Sequence, residues 1–281
     1  MTETGGKVVV VTGASRGFGR AIALELAERG HRLVATMRNP DGFRPEVAAE
    51  QEMDQERLDV TDTSSVTSAL SSIEDRHGRI DVLINNAGYG LYGPIEGLTE
   101  EAVRLQLETN TIGMWRTCKA VLPGMRRRGE GLIINITSGG ARLAIPLMGM
   151  YCASKAAVHM FSEALAYEVR GFGVKVAVVE PGAYRTDWQT TSLDVETGGT
   201  GSPYEKMVEK ALAEFRSHAA QMPPPQELAE GVADLVESEN PSFHNFIAPE
   251  GTEELTKWAL SLSAEERDEE LRGTNPFFPP L

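Results

Sequence analysis

A strand, a glycine loop and a helix in direct succession near its start constrain this chain more than any other feature. Lys7-Val-Val-Val-Val-Thr12 is a short β-branched apolar run, the pattern of a strand buried on both faces of a parallel sheet. Gly13, Ala14, Ser15, Arg16, Gly17, Phe18 and Gly19 follow without a break, and an amphipathic helical pattern runs from Arg20 to about Arg29. Glycines let the backbone turn tightly and approach a pyrophosphate, while the helix N-terminus offers N–H groups and a partial positive charge. The spacing is G-x-x-x-G-x-G rather than G-x-G-x-x-G, and a plain turn is the alternative reading of these residues taken alone.

The next strand bears on the choice of ligand. His31 to Met37 is apolar and strand-like. An NAD binder places an acid at the end of that strand, about 20 residues past the glycines, to hold the ribose 2′-hydroxyl. Met37 stands there instead, Arg38 follows, and Arg16 lies inside the glycine loop. Two guanidinium groups suit a 2′-phosphate through charge-assisted, bidentate bonds. NADP(H) is therefore expected, with NAD(H) the less favoured coenzyme.

Further strands are expected at Val82–Asn85, Gly131–Ile136, Val174–Glu180 and Phe243–Ala248, with a short third strand before Asp59. Helices are expected near Ser64–Arg76, Glu100–Arg128, Gly149–Arg170 and Gln226–Glu237. Right-handed crossovers then put helices on both faces of a doubly wound parallel sheet, an α/β architecture that binds ligands beyond the carboxyl ends of its strands. Gly13, Asn86, Ser138 and Pro181 all follow expected strands, so they converge on one edge. A length of 281 residues without a Pro/Gly/Ser linker fits one domain spanning 1–281.

At that edge stands a chemical trio. Tyr151 and Lys155 are a little over one helical turn apart and share a face, and Ser138 lies just upstream. A nearby ammonium favours phenolate and is expected to draw the tyrosine below its free pKa of about 10. A tyrosine so tuned gives or takes a proton near neutral pH. The pair alone also fits an exposed surface pair on a helix.

Taken together, Thr12-Gly-Ala-Ser-Arg-Gly-Phe-Gly19, Asn85-Asn-Ala-Gly88, Asn110, Ser138, Tyr151-x-x-x-Lys155 and Pro181-Gly182 resemble the short-chain dehydrogenase/reductase family, in family order, over about residues 7–187. The resemblance implies a Rossmann fold of about seven strands in the order 3-2-1-4-5-6-7. It implies an enzyme, an oxidoreductase moving hydride between NADP(H) and a carbonyl or secondary alcohol. It assigns Asn110, Ser138, Tyr151 and Lys155 to catalysis, with Asn110 bending a long helix and holding a water near the lysine. It assigns Asp59 and Val60 to the adenine, Asn86, Ala87 and Gly88 to the turn beneath the coenzyme, and Pro181, Gly182 and Thr186 to the nicotinamide half. Tyr151 and Lys155 also touch the coenzyme. A homodimer or homotetramer is implied, through the helices 100–128 and 149–170. Read alone, Asn85–Gly88 and Pro181–Gly182 are turns, and Asp59 is a cap for a helix beginning near Asp62.

Residues 183–225 form an insertion before the last strand and are expected to act as a lid. They contain Gly198-Gly-Thr-Gly201 and then a helix from Pro203 to about His218 with Met207, Ala211, Leu212 and Phe215 on one face. An ordinary packed helix is the other reading. Residues 264–281 form a tail, with a charged helical face at Glu265–Glu270. The expected wall of the substrate site is apolar: Leu91, Tyr92, Leu143, Ile145, Met148 and Trp188, with Arg142 and Arg185 the exceptions. That favours a bulky apolar small molecule, steroid-, retinoid- or polyketide-like.

The charge of −14 argues against nucleic acid and anionic membrane as partners. No signal-peptide pattern starts the chain, and no apolar run approaches about 18 residues. Cys118 and Cys152 lack metal-ligand spacing and read as reduced, buried thiols, so a cytoplasmic protein without a metal is expected. Two rivals remain: an epimerase or dehydratase on the same scaffold, and a non-enzymatic NADP-sensing protein.

Overall fold

The computed structural model describes residues 6–42, 53–249, 261–263 and 265–266. Most of the tail, including positions 267–270 of the expected charged helix, lies outside them.

Seven parallel strands form the central sheet: β1 (Val8–Thr12), β2 (Arg32–Met37), β3 (Asp54–Arg57), β4 (Val82–Asn85), β6 (Gly131–Ile136), β7 (Val174–Pro181) and β9 (His244–Ile247), in the order β3-β2-β1-β4-β6-β7-β9. Every ladder is parallel, so each connection must cross over the sheet. The helices doing so are α1 (Gly17–Glu28), α2 (Thr63–His77), α3 (Glu100–Leu107), α4 (Gly113–Arg128), α5 (Gly149–Val169) and α8 (Gln226–Glu237). Two short strands, β5 (Gly90–Tyr92) and β8 (Leu193–Val195), form a separate parallel pair above the main sheet. The insertion also carries α6 (Trp188–Thr191) and α7 (Glu205–Gln221).

Two apolar layers sandwich the sheet. On one face Val9, Val11, Ile84, Ile134 and Val179 pack under α1 and α8 through Ile22, Leu26, Leu228 and Val232. On the other, Val10, Leu83, Ile133 and Val176 pack under α2, α4 and α5 through Leu70, Ile73, Val121, Met125 and Val169. The alternation along each strand supplies both layers, which is why the strands are apolar throughout.

Local signals set the helix ends. Asp62 Oδ1 accepts from the Ser64 and Ser65 backbone N–H groups at 2.8 and 3.3 Å and starts α2. Gly78, at φ 75°, ends it in the left-handed conformation. The helix expected over 100–128 departs from one straight rod. Residues Glu108–Ile112 between α3 and α4 form a π-helical turn with Asn110 fully buried in it. One extra residue in the turn rotates Asn110 inward, a device common at functional sites.

Ile133 sits at the centre of the sheet with no exposed surface. Ile133→Ala is expected to cost about 2–5 kcal/mol through lost burial and a partly collapsed cavity, measured as a lower urea midpoint with an unchanged slope. A midpoint within about 0.5 kcal/mol of wild type would contradict this packing.

Candidate active site

The loops following β1, β4, β6 and β7 meet at the carboxyl edge of the sheet. Thr12, the last residue of β1, organises the first two. Its Oγ1 accepts from the Asn86 and Ala87 N–H groups at 3.0 and 3.1 Å and donates to the Ile84 carbonyl at 3.4 Å. Asn86 returns its amide to the Thr12 and Gly13 carbonyls at 3.0 and 3.2 Å. The loops touch so closely that a Cβ on Gly13, which has φ +66°, would lie 2.8 Å from Ala87 Cα. A Cβ on Gly19 would collide with the Asn86 amide. These glycines are thus demanded by loop-on-loop packing as well as by the turn.

The rim of this cradle carries free cations. Ser15, Arg16 and Arg38 are exposed, and neither arginine has an ion pair among the described residues. Arg57 Nε donates to the Arg38 carbonyl at 3.3 Å, fixing the chain where β2 ends. Met37 is buried, so no side-chain acceptor stands at that position. Across the slot, Thr186 lies opposite Gly17: a Cβ there would sit 3.7 Å from Thr186 Cβ. Phe18 packs edge-on against Tyr184, which further joins the glycine loop to the insertion. The glycine loop and its exposed guanidinium groups, which have no ion pair among the described residues, face the carboxyl edge of the sheet where a nicotinamide dinucleotide binds in this fold class.

Asp59 and Val60 follow β3. Asp59 Oδ1 accepts from the Thr61 N–H and hydroxyl at 2.9 and 2.7 Å, while Asp62 is the residue that caps α2. Val60 is buried against Gly113, and its carbonyl accepts from Arg116. Pro181 pairs with Ile247, the Gly182 N–H donates to the Ile247 carbonyl at 2.8 Å, and Thr186 bonds to Gln189. These positions follow β3 and β7 at the carboxyl edge of the sheet.

Deeper in, α5 brings Tyr151 and Lys155 beneath the loop that follows β6. Ser138 ends that loop, and its hydroxyl, which accepts from the Gly140 N–H at 3.0 Å, lies near enough to the Tyr151 phenol to favour its ionised form. Lys155 is 5% exposed, donates to the Ile136 carbonyl at 2.9 Å, and stands 6.0 Å from the centre of the Tyr151 ring. A Cβ on Gly88 would meet Asn110 Oδ1 at 3.0 Å and Lys155 Nζ at 3.7 Å, so these groups crowd one point. Asn110 secures the strand β5 entry: it accepts from the Tyr89 N–H at 3.0 Å and donates to the Tyr89 carbonyl at 2.9 Å and to Ser154 Oγ at 3.1 Å.

Burial governs the protonation of the pair. It pushes the Tyr151 phenol up to about 12, with the neighbouring Ser138 hydroxyl pulling the other way. It pulls the Lys155 ammonium down to about 8. This differs from the lowered tyrosine expected from sequence. The ammonium points to a backbone carbonyl, and removing both groups from water penalises each charge more than their separation rewards it.

The mouth is apolar. Trp188 lies on Tyr151 with ring centres 5.4 Å apart, and Phe215 of α7 reaches both Trp188 and Tyr92 at 6.2 Å. Tyr92, Met148, Tyr151, Cys152, Val208 and Ala211 form one buried cluster, with Ile145 and Trp188 packed on it. Leu91 and Leu143, expected in the wall, stand outside that cluster. On α7 the inward face includes Val208, absent from the expected set, together with Ala211, Leu212 and Phe215.

Residues 7–196 match the sequence model of the short chain dehydrogenase family. A 3-ketodihydrosphingosine reductase of Bacteroides thetaiotaomicron is 38% identical over 246 residues, covering 86% of this chain and 88% of its own. The human 17-beta-hydroxysteroid dehydrogenase type 1 is 32% identical over 260 residues, 85% of this chain and 76% of its own. A crystal structure of a short-chain dehydrogenase from Streptomyces avermitilis superposes with a TM-score of 0.81 at 32% identity, covering 94% of each chain. The chain belongs to the short-chain dehydrogenase/reductase family, and it is an oxidoreductase of that type, built to bind a nicotinamide coenzyme. No helix among the described residues is long and apolar enough to cross a membrane.

Thr12 opens the glycine motif in the sequence, but no role is assigned to its side chain there. Thr12→Val keeps its shape and strands two N–H groups. It is expected to cost about 1–3 kcal/mol and to weaken coenzyme binding, checked by thermal melting and by NADPH fluorescence titration. Unchanged binding and melting would contradict this role.

Proposed function

We propose that this protein transfers hydride between NADP(H) and a bulky apolar ketone or secondary alcohol. The observation that carries the reading is buried Lys155 held beside the Tyr151 ring under an aromatic wall, with Ser138 close to the phenol. NADPH, when bound, supplies the hydride. Ser138 donates to the substrate oxygen and orients it. Tyr151, protonated at neutral pH, passes its proton to that oxygen as negative charge develops there. Lys155 holds a positive charge beside the phenolate left behind and binds the nicotinamide ribose. Asn110 positions the water that returns a proton through Lys155.

Arg16 and Arg38 hold the 2′-phosphate, with Asp59 and Val60 at the adenine. Gly13, Ser15, Gly17, Phe18 and Gly19 cradle the pyrophosphate. Asn86, Ala87 and Gly88 lie beneath the coenzyme, and Pro181, Gly182 and Thr186 meet the nicotinamide half. Residues 183–225 close over the substrate, bringing Trp188 and Phe215 onto it. The relatives named for a ketosphingosine and a hydroxysteroid fit a large apolar substrate. Trp115 on α4 and Met160 and Tyr167 on α5 are exposed large side chains, which supports a homodimer or homotetramer through those helices.

Tyr151→Phe is expected to bind NADPH normally and to lose about 10²–10⁴-fold in turnover, the worth of a general acid. This is measured by NADPH oxidation over a panel of apolar ketones; retained kcat would remove Tyr151 from the acid role. Arg38→Glu should raise the KM for NADPH by about tenfold or more, one lost charge-assisted bond, and leave that for NADH nearly unchanged. A wild-type protein that strongly prefers NADH would overturn the assignment of Arg16 and Arg38.

A further inference from the structure

Beyond the groove, on the α5 side of β7, three potential ligands from distant parts of the chain come together. Glu180 ends the apolar run of β7 and is only 2% exposed, an unusual place for a carboxylate. His159 lies on α5 one turn beyond Lys155, and His244 opens the edge strand β9. One donor atom from each of the three lies within 4.8 Å of the others. The two imidazole rings lie side by side at a tilt of 31°, with centres 5.1 Å apart.

The pairing within this cluster is incomplete. Glu180 Oε1 faces His159 Nδ1 at 3.1 Å, yet both atoms are buried without a hydrogen-bond partner. With the Nδ1 of His159 unprotonated, the two atoms present lone pairs to each other, an arrangement that suits a shared cation better than a hydrogen bond of poor angle. The other carboxylate oxygen, Oε2, is held by Arg142 at 3.4 Å, which fixes the orientation of Glu180 and leaves Oε1 available. His244 is exposed on the outermost strand, so an ion has a path from solvent.

We propose that His159, Glu180 and His244 form a divalent-cation site of the zinc class. Two imidazoles and one carboxylate are a donor set that Zn²⁺ accepts, with a solvent water completing four-coordination. Tetrahedral ligand atoms at about 2.0–2.2 Å from zinc stand about 3.3–3.6 Å apart; Glu180 Oε1 and His159 Nδ1 are already that close, and the widest separation in the cluster, up to 4.8 Å, must close by about 1.5 Å, a shift open to the exposed edge-strand histidine. The bound ion ties α5, which carries Tyr151 and Lys155, to the end of β7 at Pro181 and to the edge strand. It therefore braces the active-site floor from behind without touching substrate. Sequence spacing hides the site because each ligand comes from a different element.

The test is isothermal titration of the chelator-treated, full-length protein with ZnCl₂, in parallel with Co²⁺ and its visible absorption. One Zn²⁺ per chain is expected, with tetrahedral Co²⁺ bands and a raised melting temperature. His244→Ala, exposed and outside the catalytic groove, is expected to fold as wild type by circular dichroism and to bind about tenfold or more weakly. Glu180→Gln should likewise lose binding. Absence of Zn²⁺ uptake by the wild-type protein, or uptake that His244→Ala leaves unchanged, would overturn the site and show Glu180 to be served by Arg142 and His159 alone.

Discussion

The burial of Lys155 is the constraint around which the active site is arranged. An ammonium taken out of water is costly unless it finds partners, and here one backbone carbonyl, that of Ile136, accepts from it. That carbonyl belongs to the last residue of β6, so the charge is anchored to the sheet rather than to a mobile side chain. The cost appears as an ammonium that releases its proton more readily than a free lysine. A site that strains to keep this charge is one where a negative group, forming nearby, is strongly favoured. The same burial keeps the Tyr151 proton on the phenol until such a group demands it.

A polar network inside the protein holds the elements that present these groups. Asn85 and Asn135, opposite one another on β4 and β6, bond at 2.8 Å. Thr117 of α4 donates to Asn85 at 2.6 Å, and Asn135 donates to Ser162 of α5 at 2.8 Å. All four are fully or nearly fully buried. Such satisfied networks fix one arrangement, because any slip would leave several groups unpaired. Higher on the same helices, Asn110 and Ser154 link the π-helical turn, the Tyr89 loop and the Tyr151 carbonyl. The catalytic helix is thereby registered against both the sheet and the β5 entry.

The sheet was legible because its strands are buried on both faces. Val82–Asn85 and Gly131–Ile136 appear with the bounds their apolar runs suggest, since nothing local competes with burial there. The convergence of Gly13, Asn86, Ser138 and Pro181 on one edge follows from parallel topology alone. The β5–β8 pair was not legible: each strand has three residues and gains its partner only when the insertion folds back. The family resemblance placed a bend in the long helix at Asn110, and the structure shows its form: a π-helical turn over Glu108–Ile112, widened as Asn110 reaches for Tyr89. The direction of the Tyr151 shift depends on how deeply Trp188 and its neighbours bury the phenol, a tertiary quantity that a four-residue spacing does not contain.

What remains decisive is whether desolvation or the neighbouring ammonium controls Tyr151. Ultraviolet difference titration of the coenzyme-free protein, wild type minus Tyr151→Phe, isolates the ionisation of this one phenol. The account predicts that its tyrosinate absorption stays absent beyond the free-tyrosine pKa of about 10 and emerges only toward about 12. A step near neutral pH would contradict it.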